Sequence, residues 1–125
     1  MAFLPWLYVC LGAAVGAPAR YLTDRAVQSR HDSVFPWGTL AVNVVGSLVL
    51  GLLTGLGEGH AVPSAVRLGI GTGFCGALTT YSTFGYETMR LFEDGARLYA
   101  LLNVAVSLAA GLAAATVGYA LGVFT

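Results

Sequence analysis

Four stretches without a charged residue constrain this chain more than any other feature: Met1 to Ala19, Ser33 to Gly57, Leu68 to Tyr86 and Leu98 to Thr125. Each comes close to the 20 or so mostly apolar residues a helix needs to cross the hydrocarbon core of a bilayer. The polar connectors between them are too short to hold a soluble domain. In lipid every backbone polar group must bond inside the protein, and four spans are too few strands for a closed barrel. The sequence therefore predicts an all-α integral membrane protein, a single domain over residues 1–125. Its four transmembrane helices are expected near 3–21, 37–57, 63–92 and 97–121. Charged residues make up 10% of the chain, against about 25% in a soluble domain. The first stretch also has the outline of a signal peptide, because Ala17-Pro18-Ala19 resembles a small-residue cleavage site. It lacks the basic segment that should precede one.

The same composition excludes several functions. The net charge is zero and there is no lysine, so no basic run invites nucleic acid. Cys10 and Cys75 sit alone in apolar stretches, without a disulfide framework or metal-ligand spacing, and are expected to pack as small apolar residues. The spans hold no Ser/His/acid set. The glycine repeat from Gly69 to Gly73 follows no strand and has no acidic residue at nucleotide-fingerprint distance. No enzyme chemistry is expected.

The polar residues inside the spans are more informative. Gly12 and Gly16, four apart, offer one face of the first helix for close helix contact. Arg20 closes that span, either snorkelling to the headgroups or lining an anion's entrance. The second helix should begin at Pro36-Trp37, since proline suits a first helical position. Along it Thr39, Asn43, Ser47, Gly51 and Gly55 recur every four residues. Asn43 falls at mid-membrane, where an unpaired amide is costly; such a stripe serves either inter-helix hydrogen bonds or a pathway. Asn103, Ser107 and Gly111 repeat the pattern in the fourth helix. His31, Glu58 and His60 fall in connectors and are expected to be solvated.

The third span is unusual. Gly69 to Glu87 reads GIGTGFCGALTTYSTFGYE, with five glycines and then the hydroxyls of Thr79, Thr80, Tyr81, Ser82 and Thr83. Each interior glycine costs about 1 kcal/mol of helix propensity against alanine. A helix broken near 73–80 is expected. A break frees carbonyls that suit a small cation and amides that suit an anion. Tyr81 and Phe84, three apart, share a helical face, either for packing or to offer electropositive ring edges. Ion handling fits better than organic-substrate transport, and four helices enclose so little that an oligomer is expected.

The motif GFCGALTTYSTFGYE closely resembles the signature of the CrcB/Fluc fluoride channel family. GAPARY, WGTLAVNVVGS and NVAVSLAAGL extend the resemblance over the whole chain. It implies a four-helix protein of the cell membrane that pairs in antiparallel orientation and passively exports fluoride, lowering its cytoplasmic level. It further implies a structural sodium ion at the dimer centre, not transported, held by the backbone carbonyls of Gly76 and Thr79. Asn43, Tyr81, Phe84, Asn103 and Ser107 map to the fluoride path and Arg20 to its vestibule. Thr80, Ser82 and Thr83 are implied pore or packing donors, and Glu87 lies near a pore mouth. Tyr81 stands where phenylalanine is common, and Ala77 where a second glycine is common.

Charge bias complicates the pairing. Arg25, Arg30, Arg90 and Arg97 lie in the connectors on one side, with Arg20 at its edge, and only Arg67 lies on the other. Positive-inside logic then favours one orientation, so the partner is either an oppositely oriented second copy or an oppositely oriented homologue. The competing function is a small four-helix proton-coupled drug exporter, which needs a membrane-embedded carboxylate. Glu87 is the carboxylate nearest a span. A non-transporting assembly subunit would explain the glycine faces but neither Asn43 nor the hydroxyl cluster.

Overall fold

The computed structural model describes residues 3–125, and all of its regular structure is helical. Met1 and Ala2, the start of the first uncharged stretch, lie outside the described residues. Five helices follow in order: α1 (Leu4–Gln28), α2 (Trp37–Gly59), α3 (residues 64–78), α4 (Ser82–Glu93) and α5 (Arg97–Val123). α3 and α4 together occupy the third apolar stretch. α2 and α5 are long and apolar enough to cross a membrane, each with a mean hydropathy of 1.9 in its most apolar window. Only 22% and 11% of those windows is buried inside the chain. Neither is therefore buried as the core helix of a soluble protein would be, and both suit a membrane.

α1 begins with Pro5 in its first turn, where a missing N–H costs nothing. It runs on to Gln28, seven residues past the expected end at Tyr21. Hydropathy marks where apolar residues stop, not where helical bonding stops. Beyond Tyr21 the helix is supported by Arg25, whose guanidinium donates to the Tyr21 hydroxyl one turn back at 3.0 Å. Pro18 lies inside this helix, which continues without interruption. The connector that remains is fastened by Gln28. Its amide donates to the carbonyls of Ser33 and Phe35, both at 3.3 Å, and its carbonyl accepts the Gly38 N–H at 3.2 Å.

Small residues decide how closely the helices approach. α1 lies against α3, and α2 against α5. A methyl group at Gly12 would stand 2.8 Å from the Phe74 amide nitrogen, so that face of α1 touches α3 backbone to backbone. On the other pair, a methyl at Gly118 of α5 would stand 2.9 Å from Leu52 N, and one at Gly51 of α2 would stand 3.0 Å from the Ala115 Cα. Lipid tails are as apolar as leucine, so membrane helices gain by van der Waals contact, and glycine faces permit the most of it.

The third stretch differs in detail from its expected form. Residues 73–78 stay helical. The chain leaves the helix at Thr79, whose backbone is extended (φ −78°, ψ 158°), and becomes helical again at Ser82. The interruption is thus 79–81 rather than 73–80. Arg67–Cys75 forms a wide π-helical run instead of breaking. Its glycines serve contact: Gly71 and Gly73 are buried, and a methyl at Gly73 would meet the Gly12 Cα at 3.1 Å.

At one end of the bundle Phe35 lies edge-on to Tyr99, with ring centroids 6.5 Å apart, and His31 stacks on Trp37. The α1–α2 connector and the start of α5 therefore share that end. Glu58, His60 and Arg67 gather at the other end of the groove described next.

Candidate functional site

An open groove of about 1120 Å³ runs along α2, α3, the 79–81 interruption, α4 and α5. Asn43, Thr80, Tyr81, Phe84 and Ser107 line it together, as do Gly76 and Thr79. Seven of the expected site residues thus meet on one surface, although α2, the third apolar stretch and α5 each contribute to it.

Asn43 organises the interruption. Its amide nitrogen donates to the Thr80 carbonyl at 3.0 Å, and its carbonyl oxygen accepts the Thr80 N–H at 2.8 Å. A side-chain carboxamide has the same donor and acceptor as a peptide group, so Asn43 replaces both backbone partners that Thr80 loses on leaving the helix. In a continuous helix the Thr80 N–H would bond the Gly76 carbonyl. Likewise the Thr83 N–H would bond the Thr79 carbonyl, but it is taken by the Thr80 hydroxyl at 3.1 Å. The Gly76 and Thr79 carbonyls are thus among those that lose their helical amides at the interruption. Nothing lies within 4 Å of a methyl group built on Gly76, so this turn faces open space.

The aromatic pair follows. The Tyr81 and Phe84 rings lie 6.4 Å apart at 36°. Tyr81 is 86% exposed while Phe84 is half-buried, so the pair protrudes from the groove wall. Asn43 keeps a second N–H after bonding Thr80, which gives the groove a neutral donor beside these rings.

The fourth-helix residues split. Ser107 lines the groove, but Asn103 does not; it is 1% exposed and lies behind the wall. Ser107 donates to the Asn103 carbonyl at 3.3 Å, and the Asn103 amide donates to the Thr88 hydroxyl at 2.8 Å. Thr88 in turn donates to the Phe84 carbonyl at 2.8 Å. Thr88 was not singled out in the sequence. Its spacing of four from Phe84 was visible there, but its partner Asn103 is on another helix.

The remaining expected site residues stand apart from the groove. Ser82 is exposed and Thr83 half-buried, the latter contributing its backbone to the turn. Arg20 is half-buried on α1 and does not line the groove. Glu87 accepts a hydrogen bond from Thr39, which is 2% exposed, so the first residue of the α2 stripe serves to hold this carboxylate. Among the described residues, no three His, Cys, Asp or Glu side chains converge as a metal site.

Residues 7–119 match the family described as CrcB-like protein, Camphor Resistance (CrcB). The chain is 62% identical to the Fluoride-specific ion channel FluC 1 of Streptomyces avermitilis, over 90% of this chain and 91% of that one. It is 60% identical to FluC 1 of Frankia casuarinae, over 93% and 94%. It is 47% identical to FluC 2 of Mycobacterium bovis, over 90% and 86%. Identity at this level along nearly the full length, with the interrupted third stretch and its polar neighbours inside the match, makes the chain a member of the CrcB family.

Proposed function

We infer that the chain is one half of a fluoride-conducting channel of the cell membrane, which passes fluoride passively down its gradient and so lowers its cytoplasmic level. The observation that carries this is the groove itself, which Asn43, the Tyr81 and Phe84 rings and Ser107 line together. Ring edges are electropositive, and neutral donors bind a small anion without the trapping strength of a fixed positive charge. The relatives' names supply the identity of the anion.

A groove open along its side is not a pore. A second copy laid against it in the opposite orientation would close it and bring two interruptions together. The Gly76 and Thr79 carbonyls then fit a small cation such as sodium, because the amides they would bond in a helix are engaged elsewhere. Bound there, sodium would supply charge neutralisation among converging carbonyls, and Gly76 and Thr79 would hold it. Arg20 lies outside the groove of the single chain, and its vestibule role rests on the pairing.

The decisive measurement uses liposomes loaded with fluoride and a fluoride electrode outside. Purified protein should release fluoride rapidly and chloride negligibly once charge compensation is allowed. Folded protein that releases no fluoride, alone or with an oppositely oriented homologue, overturns the inference.

A further inference from the structure

The chain Ser107–Asn103–Thr88–Phe84 has a direction, and that direction bears on how Ser107 meets an anion. A hydroxyl has one hydrogen. Thr88 gives its hydrogen to the Phe84 carbonyl, which can only accept. Its oxygen can then only accept from Asn103, so Asn103 must turn its NH₂ toward Thr88. The Asn103 carbonyl is thereby left facing Ser107, which turns its own hydrogen inward to reach it. Ser107 therefore shows lone pairs, not a hydrogen, to the groove that it lines. At 3.3 Å the inward bond is the longest of the three and the easiest to exchange.

We propose that Thr88 is a positioning residue that sets this polarity, so that Ser107 lends its hydrogen to an anion only while one is present. Rapid passage requires binding that is weak enough to reverse. Were Asn103 turned the other way, its NH₂ would donate to Ser107, and the Ser107 hydrogen would point permanently into the groove. The site would hold an anion longer. Asn103 is buried and cannot leave its NH₂ unpaired without cost, so losing the Thr88 oxygen drives that reversal.

This rests on the fluoride-conducting function inferred above, and the test separates the two. Fluoride efflux from liposomes is measured against fluoride concentration for the wild type, Thr88→Val and Thr88→Ser. Thr88→Val should lower the half-saturating concentration by roughly threefold to tenfold, the worth of one hydrogen bond, and lower the maximal rate with it. Thr88→Ser keeps the hydroxyl and should match the wild type. Ser107→Ala added to Thr88→Val should abolish the shift, because the reoriented hydrogen is then gone. General damage would reduce the rate without tightening the site, so an unchanged or raised half-saturating concentration in Thr88→Val overturns the assignment. Thr88→Ala carries the same expectation if the valine variant does not fold. Failure of both to fold makes Thr88 a packing residue and also overturns it. A wild type that passes no fluoride sinks the conduction inference, and this one with it.

Discussion

A single carboxamide does two jobs at the centre of this site. Asn43 satisfies both backbone groups of Thr80, and in doing so keeps the Thr80 N–H away from the Gly76 carbonyl. Asn43→Ala should leave those two groups without their partner, at a cost of about 1–3 kcal/mol, and lower the thermal unfolding midpoint in detergent. Asn43→Asp is a different experiment. Its oxygens can still accept the Thr80 N–H, but it cannot donate, and it adds a negative charge to the groove. Flux of fluoride should fall by more than tenfold, as read with the electrode, while the protein remains folded; undiminished flux removes Asn43 from the path. Phe84→Ile keeps the bulk and loses the electropositive ring edge. It too should depress flux far more than stability. At this scale the sequence was informative because its clues were chemical: an amide, hydroxyls and aromatics where lipid wants hydrocarbon. It was silent on Thr88 and Gln28, whose partners are brought to them by another element. It also overstated the unity of the α2 stripe. A spacing of four advances about 40° per step round a helix of 3.6 residues per turn, so a stripe of five positions winds across the surface. Thr39 consequently holds Glu87, Asn43 holds Thr80, and Gly51 and Gly55 meet α5.

Helix against helix, the bundle depends on glycine where backbones touch. Gly118 is buried on α5, and an added methyl would meet Leu52 N at 2.9 Å, a backbone atom with no rotamer to yield. Gly118→Val should therefore separate α2 from α5 and greatly reduce the folded protein recovered in detergent. Gly57→Val, where a methyl meets nothing within 4 Å, should be recovered at wild-type levels. Equal recovery of the two would contradict the contact. The number of apolar stretches and the starts of α2 and α5 could be read from the sequence, because charge and proline mark them. The end of α1 could not, since helical bonding continues past the last apolar residue. The interruption was displaced for a related reason. Glycine density suggested 73–80, but glycine also serves contact, and the α1 face at Gly12 and Gly16 uses the glycines of α3 in that way. The chain turns instead at 79–81, where Asn43 and the Thr80 hydroxyl can replace the lost helical bonds.

Seen whole, the molecule is unfinished on one side. Its groove is open, Tyr81 stands almost free, and the Gly76 and Thr79 carbonyls lack the amides that a helix would give them. Buried polar groups need partners in lipid, so the single chain should be a poor final state there. Charge says which way each copy enters: Arg25, Arg30, Arg90 and Arg97 belong to one end of the bundle, and Arg67 to the other. That bias favours one orientation, whereas an antiparallel pair needs both. The cation can be separated from the orientation question by reading assembly rather than flux. Protein purified in sodium should run as a pair in mild detergent. Exchange into a buffer whose monovalent cation is a bulky organic amine should convert it to single chains, because carbonyls brought face to face repel without a cation between them. Readdition of sodium should restore the pair. Asn43→Ala leaves the Thr80 backbone groups without the side chain that holds the turn presenting these carbonyls, and should require more sodium for the same recovery. A pair that forms equally well without sodium, in wild type and variant alike, would leave the Gly76 and Thr79 carbonyls with no cation to hold. The interruption would then serve the anion path alone.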